Sequence, residues 1–160
     1  MIGWLAGLLA ITVIKDRQQG HRPDLPYGML DLANWSPLGE NVRDVLYEEL
    51  ETTNSEGLKE VQATPDYEIE WVFLFFVYGD GGADLMRRLH SAWRLTQIQE
   101  PINPALTVHE VSTANSVPEL IKEVWEPRTQ VNIVVRGVSS DGFVIDTIDT
   151  HEIGFTGERA

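Results

Sequence analysis

The clearest pattern in the chain is the stretch Tyr67–Tyr78, which begins with one apolar side and ends apolar on both. Up to Trp71, every second residue is large and apolar or aromatic and the residues between are acidic, as in a strand with one buried face. From Val72 to Val77 every residue is apolar, which is typical of a strand buried on both faces. The pattern predicts a strand that enters the centre of a sheet and is covered by another element.

A helix is predicted directly after this strand. Gly79–Gly82 interrupts the apolar run, and Asp80 is placed to cap a helix from Ala83 to Leu95. Its apolar positions form one stripe and its basic positions face outward. The stripe comprises Leu85, Met86, Leu89, Ala92 and Trp93, and the outward arginines are Arg87, Arg88 and Arg94. We expect this helix to cover the second face of the strand.

The N-terminal stretch Ile2–Ile14 is almost entirely apolar. It is too short to span a bilayer, which takes about twenty residues. A secretory signal starts with positive charge, and none precedes Gly3. The stretch therefore predicts a short helix that runs into a strand at Ile11–Ile14. Trp4 on this helix is expected to be partly exposed until an assembly partner covers it.

Shorter patterns predict the remaining elements. Pro118 near a helix start favours two helical turns over Val117–Trp125, and Ser139–Gly142 favours a hairpin turn between the last two strands. The polar, acidic stretch Thr53–Asp66 is interpreted as a projecting loop or a long hairpin tip. For Asp44–Glu51, a helix stays open as an alternative to a strand. The further strands are predicted at Tyr27–Trp35, Val42–Thr52, Leu106–Val111, Gln130–Val138 and Phe143–Thr150.

Together these elements predict the α+β class: a mainly antiparallel sheet with one main helix packed across it, plus short helices. The length of 160 residues fits one domain, 1–160, with residues 1–14 as the N-terminal helix and strand. The last residues, 154–160, are polar and are expected to fray.

Charge changes the functional picture. The formal net charge is −13, which repels nucleic-acid phosphates and anionic membranes. Specific nucleic-acid binding is therefore not expected, although the excess charge also simply favours solubility. The chain has no cysteine, which excludes disulfides, thiol catalysis and thiolate metal sites. Cytoplasmic residence follows as the default expectation.

Residue patterns typical of catalysis are missing. The histidines are too widely spaced for a helical metal pair, and Gly79–Gly82 lacks the lysine of a phosphate-binding loop. Asp146 and Asp149 lie near His151, but their place on a terminal strand favours a solvated edge. We therefore predict no catalytic residue, no cofactor and no metal site.

Four segments, taken in order, resemble the neck- or tail-terminator proteins of tailed phages. They are Gly20–Tyr27 (GHRPDLPY), the Tyr78-Gly79 break followed by Ala83–Met86 (ADLM), Val124–Val131 (VWEPRTQV) and Asp141–Ile148 (DGFVIDTI). Each segment alone is weakly specific, whereas their order and spacing match the family from about residue 11 to residue 153. The short N-terminal helix and the acidic stretch Thr53–Asp66 depart from the family pattern.

The resemblance implies a structural virion protein without catalysis. It implies a homohexameric ring that stops tail-tube polymerisation and joins the tail to a head-completion (stopper) protein, with the tail tube protein as neighbour and DNA only as passing cargo. Location in the virion tail or neck follows, after assembly in the host cytoplasm. The expected interface residues are Trp4, Trp35, Trp125 and Arg128, since tryptophan and arginine are enriched in interfaces. Candidates for an acidic channel lining are Glu48, Glu49, Glu51, Glu56 and Glu60.

Two alternatives stay open at this point. One is a neighbouring head–tail connector or tail-completion subunit of the same structural class. The other, from a different class, is a small acidic binding module or DNA-mimic inhibitor, which would be monomeric or dimeric and would bind a basic protein. A ring-forming protein and a mimic therefore differ in their assembly state.

Overall fold

The computed structural model describes residues 1–18, 21–39, 42–55, 57–121 and 123–145. The helices are α1 (Ile2–Leu9), α2 (Gly82–Ala92) and α3 (Thr96–Gln99). The strands are β1 (Thr12–Lys15), β2 (Tyr27–Pro37), β3 (Asp44–Thr53), β4 (Lys59–Tyr78), β5 (Leu106–Val111), β6 (Asn115–Ser116), β7 (Glu119–Ile121), β8 (Val124–Glu126), β9 (Arg128–Ser140) and β10 (Phe143–Ile145).

The chain divides into two compact units. Unit 1 comprises Met1–Glu40 and Glu68–Ser139, and unit 2 comprises Asn41–Tyr67 and Ser140–Ala160. Strand β4 contributes its first residues to unit 2 and its last residues to unit 1. The single-domain expectation for residues 1–160 stays a prediction.

In unit 1 the strands follow the order β1-β2-β4-β9-β5. Strand β1 runs parallel to β2, β2 runs antiparallel to β4, and β5 runs antiparallel to β9. Strand β6 also pairs with β9, and β7 and β8 form a separate two-stranded hairpin. The central place of β4 confirms the prediction from its two-sided apolar pattern.

The core of unit 1 lies on both faces of β4, because successive side chains of a strand point to opposite faces. On one face, Phe75 and Val77 pack with α1 and with the α2 residues Met86 and Leu89. On the other face, a smaller cluster is formed by Tyr27, Phe76 and Tyr78, with Ile14, Met29, Leu74 and Ile121 packed around it. The apolar run is thus covered on both sides.

Unit 2 contains a three-stranded antiparallel sheet. The first part of β4 pairs with β3 and with β10. Tyr47 and Phe143 both pair with Ala63, which is the only buried residue among the described part of this unit. No helix of the described residues belongs to unit 2, so its sheet has no second layer of its own.

The α+β prediction with a main helix across an antiparallel sheet is wrong. Strands account for 54% of the described residues and helices for 17%, and the sheet is mixed. Helix α2 has only 11 residues, and it shares the cover of β4 with α1. It begins after Gly81, whose φ of 81° lies in the left-handed region that favours glycine, so the predicted cap at Asp80 is also wrong.

Further local predictions fail where strand pairing overrides the local pattern. Glu119–Ile121 and Val124–Glu126 pair as the strands β7 and β8 instead of forming two helical turns. Lys59–Asp66 is strand and not loop, because it pairs with β3, and with β10 at residues 61–63. The hairpin alternative for Thr53–Asp66 holds, since β3 and β4 form an antiparallel hairpin, but its connection is short. Strand β10 pairs with β4, which contradicts the predicted terminal hairpin with β9. The predicted continuation of this strand to Thr150 and the tail 154–160 lie outside the described residues.

Several predictions are confirmed. The N-terminal helix and the strand after it form α1 and β1, and the strands predicted at Tyr27 and Leu106 form β2 and β5. The strand predicted at Val42–Thr52 is β3, Asp44–Thr53, which excludes the helical alternative for Asp44–Glu51. The strand predicted at Gln130–Val138 extends to Arg128–Ser140.

Candidate assembly surface

Two stacked tyrosines form the centre of a polar-aromatic cluster in unit 1. Tyr27 at the start of β2 pairs in register with Tyr78 at the end of β4. Their ring centroids lie 5.0 Å apart, and the ring planes differ by 6°. Both side chains are buried, so the two hydroxyl groups require partners.

Two arginines supply those partners. The guanidinium of Arg22 lies 5.2 Å from the Tyr27 ring centroid, and its Nε donates to the Tyr27 hydroxyl at 3.0 Å. The guanidinium of Arg128 lies 4.9 Å from the Phe76 ring and 5.9 Å from the Tyr78 ring. These cation–π contacts hold both arginines on the aromatic surface, with their charged heads directed toward carboxylates.

The carboxylates belong to the β7–β8 hairpin. The Tyr78 hydroxyl and Arg128 Nη1 each donate to Glu119 Oε2 at 2.9 Å, and Arg22 forms an ion pair with Glu126. Glu119 and Glu126 pair across the hairpin, and their side chains therefore lie on the same face. Arg22 and Arg128 therefore hold this face of the hairpin through its two glutamates.

Burial sets the protonation states in this cluster. It raises the pKa of Tyr27 and the pKa of Tyr78, in each case chiefly through desolvation. The pKa of Arg22 is also raised, mainly by its hydrogen bond to Glu126. Both phenols are therefore neutral at neutral pH, and the Tyr78 hydroxyl can donate to Glu119 while the Tyr27 hydroxyl accepts from Arg22.

The opposite face of the hairpin is apolar and exposed. Leu120 and Trp125 pair directly across the two strands, and the Trp125 side chain is 66% exposed. Val124, which pairs with Ile121 and therefore lies on the same face as Glu126, is also exposed, at the start of β8. Beside the hairpin lies a groove of about 440 Å³ lined by Arg22, Leu25, Ile121, Val124, Trp125, Glu126 and Pro127. We call Leu120, Val124 and Trp125 the hairpin surface.

The four expected interface residues occupy different environments. Trp4 is only 8% exposed and its Nε1 donates to the Ile98 carbonyl at 2.6 Å, so the expected partial exposure is wrong. Arg128 is engaged within the chain, where it also donates from Nε to the Val117 carbonyl at 3.1 Å. Trp35 on β2 and Trp125 are both well exposed. Only these two tryptophans present a large free surface for a partner.

The five expected channel residues do not form one surface. Glu48 and Glu49 are neighbours on β3 and therefore point to opposite faces of its sheet. Glu60 shares the face of Glu48, since Glu48 pairs with Gln62 and Gln62 lies two residues from Glu60. Glu51 is exposed on β3, and Glu56 lies outside the described residues. A channel lined by one face of this sheet could include Glu48 and Glu60 but not Glu49.

The described residues offer no group of three or more metal-binding side chains. No helix in the part of the chain that the structure describes is long and apolar enough to cross a membrane. The residues Asp146, Asp149 and His151, which were considered as an acid–base set, fall outside the described residues.

Sequence reasoning found Trp125 and Arg128 but missed the stacked tyrosines and Arg22 as a cluster. Arg22 and Glu126 are 104 positions apart, so their ion pair follows only from the sheet topology. A local signal does exist: Arg22 and Tyr27 fall in one of the segments that resemble the family, and Arg128 in another.

The elements described so far define a β-rich protein whose exposed features are an apolar hairpin, free sheet faces and charged patches, as expected of an assembly subunit. The family comparison agrees with this class. Residues 1–159 match the family of phage neck terminator proteins, and the chain belongs to that family. Comparison with curated proteins gave no match. The family is one of structural virion proteins of the tail and neck, which confirms the suspected resemblance.

Proposed function

We propose that this chain is the subunit of a ring that ends tail-tube polymerisation and joins the tail to the head of a tailed phage. The observation that carries the proposal is the family match over residues 1–159, nearly the whole chain. The expected neighbours are further copies of the chain, the tail tube protein and a head-completion protein. Catalysis and cofactors have no part in this role.

A closed ring requires two different, complementary patches on each subunit, related by a rotation that closes. The hairpin surface supports such a role, since exposed aromatic residues on a firmly anchored element are typical anchors of interfaces. Its strands are held to the rest of unit 1 through Glu119 and Glu126. A preorganised surface of this kind loses little conformational entropy when a partner binds.

DNA enters the proposal only as cargo. A net charge of −13 disfavours binding of phosphates, so DNA can pass a ring of these subunits without being retained. This property depends on the overall excess of carboxylates and not on one particular set of glutamates.

The mass of the purified chain, measured by light scattering over a range of concentrations, tests the ring. A ring of about six copies has a mass of about 108 kDa, six times the 18.0 kDa of one chain. Negative-stain images should then show a central hole. A chain that stays monomeric and also fails to bind purified tail tubes contradicts the proposal.

The substitution Trp125→Ser tests whether the hairpin surface takes part in assembly. The variant should fold normally because the side chain is exposed, and it should lose ring formation or tube binding. Thr107→Ser, an exposed change on β5, serves as the control. Unaltered assembly of the Trp125 variant would remove the hairpin surface from the proposed interface.

A further inference from the structure

The two units differ sharply in charge. Unit 2 carries twelve acidic and three basic residues, a formal net charge of −9, whereas unit 1 carries thirteen acidic and nine basic residues, a net charge of −4. Most of the excess negative charge of the protein therefore lies in fewer than a third of its residues. This imbalance allows one region of a copy to attract a different region of another copy.

The strand register places four carboxylates of unit 2 on one sheet face. Asp44 pairs with Asp66, and Glu48 pairs with Gln62, so these side chains point to the same side. Glu60 joins them by the two-residue repeat of β4. We call Asp44, Glu48, Glu60 and Asp66 the acidic face. No Lys or Arg occupies the described positions of this face.

The acidic face also carries exposed apolar surface. Leu46 lies between Asp44 and Glu48 on the same face and is 66% exposed. Unit 2 has no helix among its described residues, so nothing described within the unit covers this side of the sheet. A single-layer sheet usually gains stability by packing against another element. An apolar residue ringed by carboxylates fits a partner that presents cations next to an apolar side chain.

Such a surface is present on helix α2 and the turn after it. Arg87, Arg88 and Arg94 are exposed there, together with Leu95. Arg87 pairs with Asp84 at 3.4 Å, but both side chains are highly exposed and such pairs are weak. Arg88 and Arg94 have no ion pair with any described residue, and Arg94 lies 5.2 Å over the Trp93 ring. We call Arg87, Arg88, Arg94 and Leu95 the arginine face.

We infer that the arginine face of one copy docks on the acidic face of the next copy. The inference rests on the proposed function and deepens it, because it names a charge-complementary pair of patches for the head-to-tail contact, in addition to the hairpin surface. The two patches attract each other, whereas a two-fold dimer through either patch would bring like charges together. The charges therefore select a heterologous contact over a two-fold dimer. Leu46 and Leu95 then bury apolar surface at the centre of a charged rim.

Charge exchange between two variants tests this contact. The first variant carries Arg88→Glu and Arg94→Glu, and the second carries Glu48→Lys and Glu60→Lys. Each alone places like charges at every contact, and self-association in low salt should weaken by at least about tenfold. An equimolar mixture should recover assembly, because copies that alternate around an even-numbered ring restore opposite charges at each contact. Combining all four changes in one chain should also restore assembly.

The control for the Glu48→Lys, Glu60→Lys variant carries the same charge change elsewhere. Glu49→Lys with Glu110→Lys alters one residue on the opposite face of β3 and one exposed residue on β5. This variant should associate as the wild type does. Light scattering reports the mass of every sample, and circular dichroism reports whether each variant is folded.

Each outcome decides the inference separately from the proposed function. If the wild type forms rings and the mixture does not recover, the named contact is wrong while the ring role stands. If only the four-change chain recovers, the faces meet within one chain and the contact between copies is also wrong. A wild type that never self-associates in low salt contradicts the contact, and tube binding then decides the function.

A cross-link provides a second readout in the cysteine-free background. Chains with Glu48→Cys are mixed with chains carrying Arg88→Cys, and a short thiol cross-linker is added. A product of two chains that requires both variants supports the contact. Glu49→Cys in place of Glu48→Cys should give little product, and equal yields from both positions would overturn the inference.

Discussion

Unit 1 and unit 2 are built from the same kind of strand but are stabilised differently. In unit 1, β4 is covered on both faces, and Phe75, Met86 and Leu89 are fully buried. In the described part of unit 2, the same strand is flanked only by other strands, and Ala63 alone is buried. Unit 1 therefore folds around its own core, whereas unit 2 displays sheet faces that suit contacts with other molecules.

The largest expected effect on stability distinguishes a leucine-to-alanine change in unit 1 from the same change in unit 2. Leu89→Ala removes a side chain that is 0% exposed and should lower the free energy of unfolding by about 3 kcal/mol through lost burial and a cavity. Leu46→Ala should change it by less than about 0.5 kcal/mol in the unassembled chain. Urea denaturation followed by tryptophan fluorescence measures both. Equal losses would show that Leu46 is covered within one chain.

A smaller loss of unfolding free energy is expected when the contacts of Arg128 are removed. Arg128→Gln removes the cation from Glu119 and from the Tyr78 hydroxyl, and should cost about 2 kcal/mol because this environment is partly buried. Arg17→Gln breaks an ion pair in which the arginine side chain is 88% exposed, and should cost less than about 0.5 kcal/mol. Comparable denaturation curves for the two variants would contradict the anchoring role of Arg128.

The stacked tyrosines predict an alkaline weakening of unit 1. The folded pKa of Tyr27 and that of Tyr78 are raised by burial, so the folded chain holds these protons more tightly than the unfolded chain. Their contribution is complete below about pH 10, the ordinary tyrosine pKa, and is lost as pH rises through the folded pKa values. Tyr27→Phe with Tyr78→Phe should flatten the fall of unfolding free energy above pH 10. An unchanged slope would contradict this account.

The smallest effect concerns the end of helix α1. Ala10 has φ 57° and ψ 40°, the left-handed conformation that glycine adopts without strain. Ala10→Gly should therefore raise the free energy of unfolding by about 0.5 kcal/mol. Ala6→Gly, inside the same helix, should lower it by about 1 kcal/mol. Thermal unfolding of both variants should give shifts of opposite sign, and a loss in both would be inconsistent with the assigned cap.

The sequence predicted the fold where burial alone determines the element. The run from Val72 to Val77 identified a central strand, and the stripe around Met86 and Leu89 identified a helix. Prediction failed where pairing decides: Lys59–Asp66 is largely polar and becomes strand because it pairs with β3, and with β10 at residues 61–63. Strands β7 and β8 replaced the predicted helical turns, and their charged face is held by a nearby arginine, Arg128 at Glu119, and by a distant one, Arg22 at Glu126.

The candidate site was predictable only in part. Exposed tryptophan beside proline correctly drew attention to Trp125, although its role in an interface stays a proposal. Arg128 was expected at an interface and instead contacts Phe76 and Glu119 within the chain. A single sequence carries no signal for the register that joins Tyr27 to Tyr78, since this pairing arises between strands about fifty residues apart.

Imaging of purified tail tubes after addition of the protein shows whether the chain ends the growth of a tail tube. A terminator should form a ring-shaped cap at one end of each tube and prevent further lengthening when tube protein is supplied. Tubes that stay uncapped and continue to grow at saturating concentrations of the protein would exclude this role.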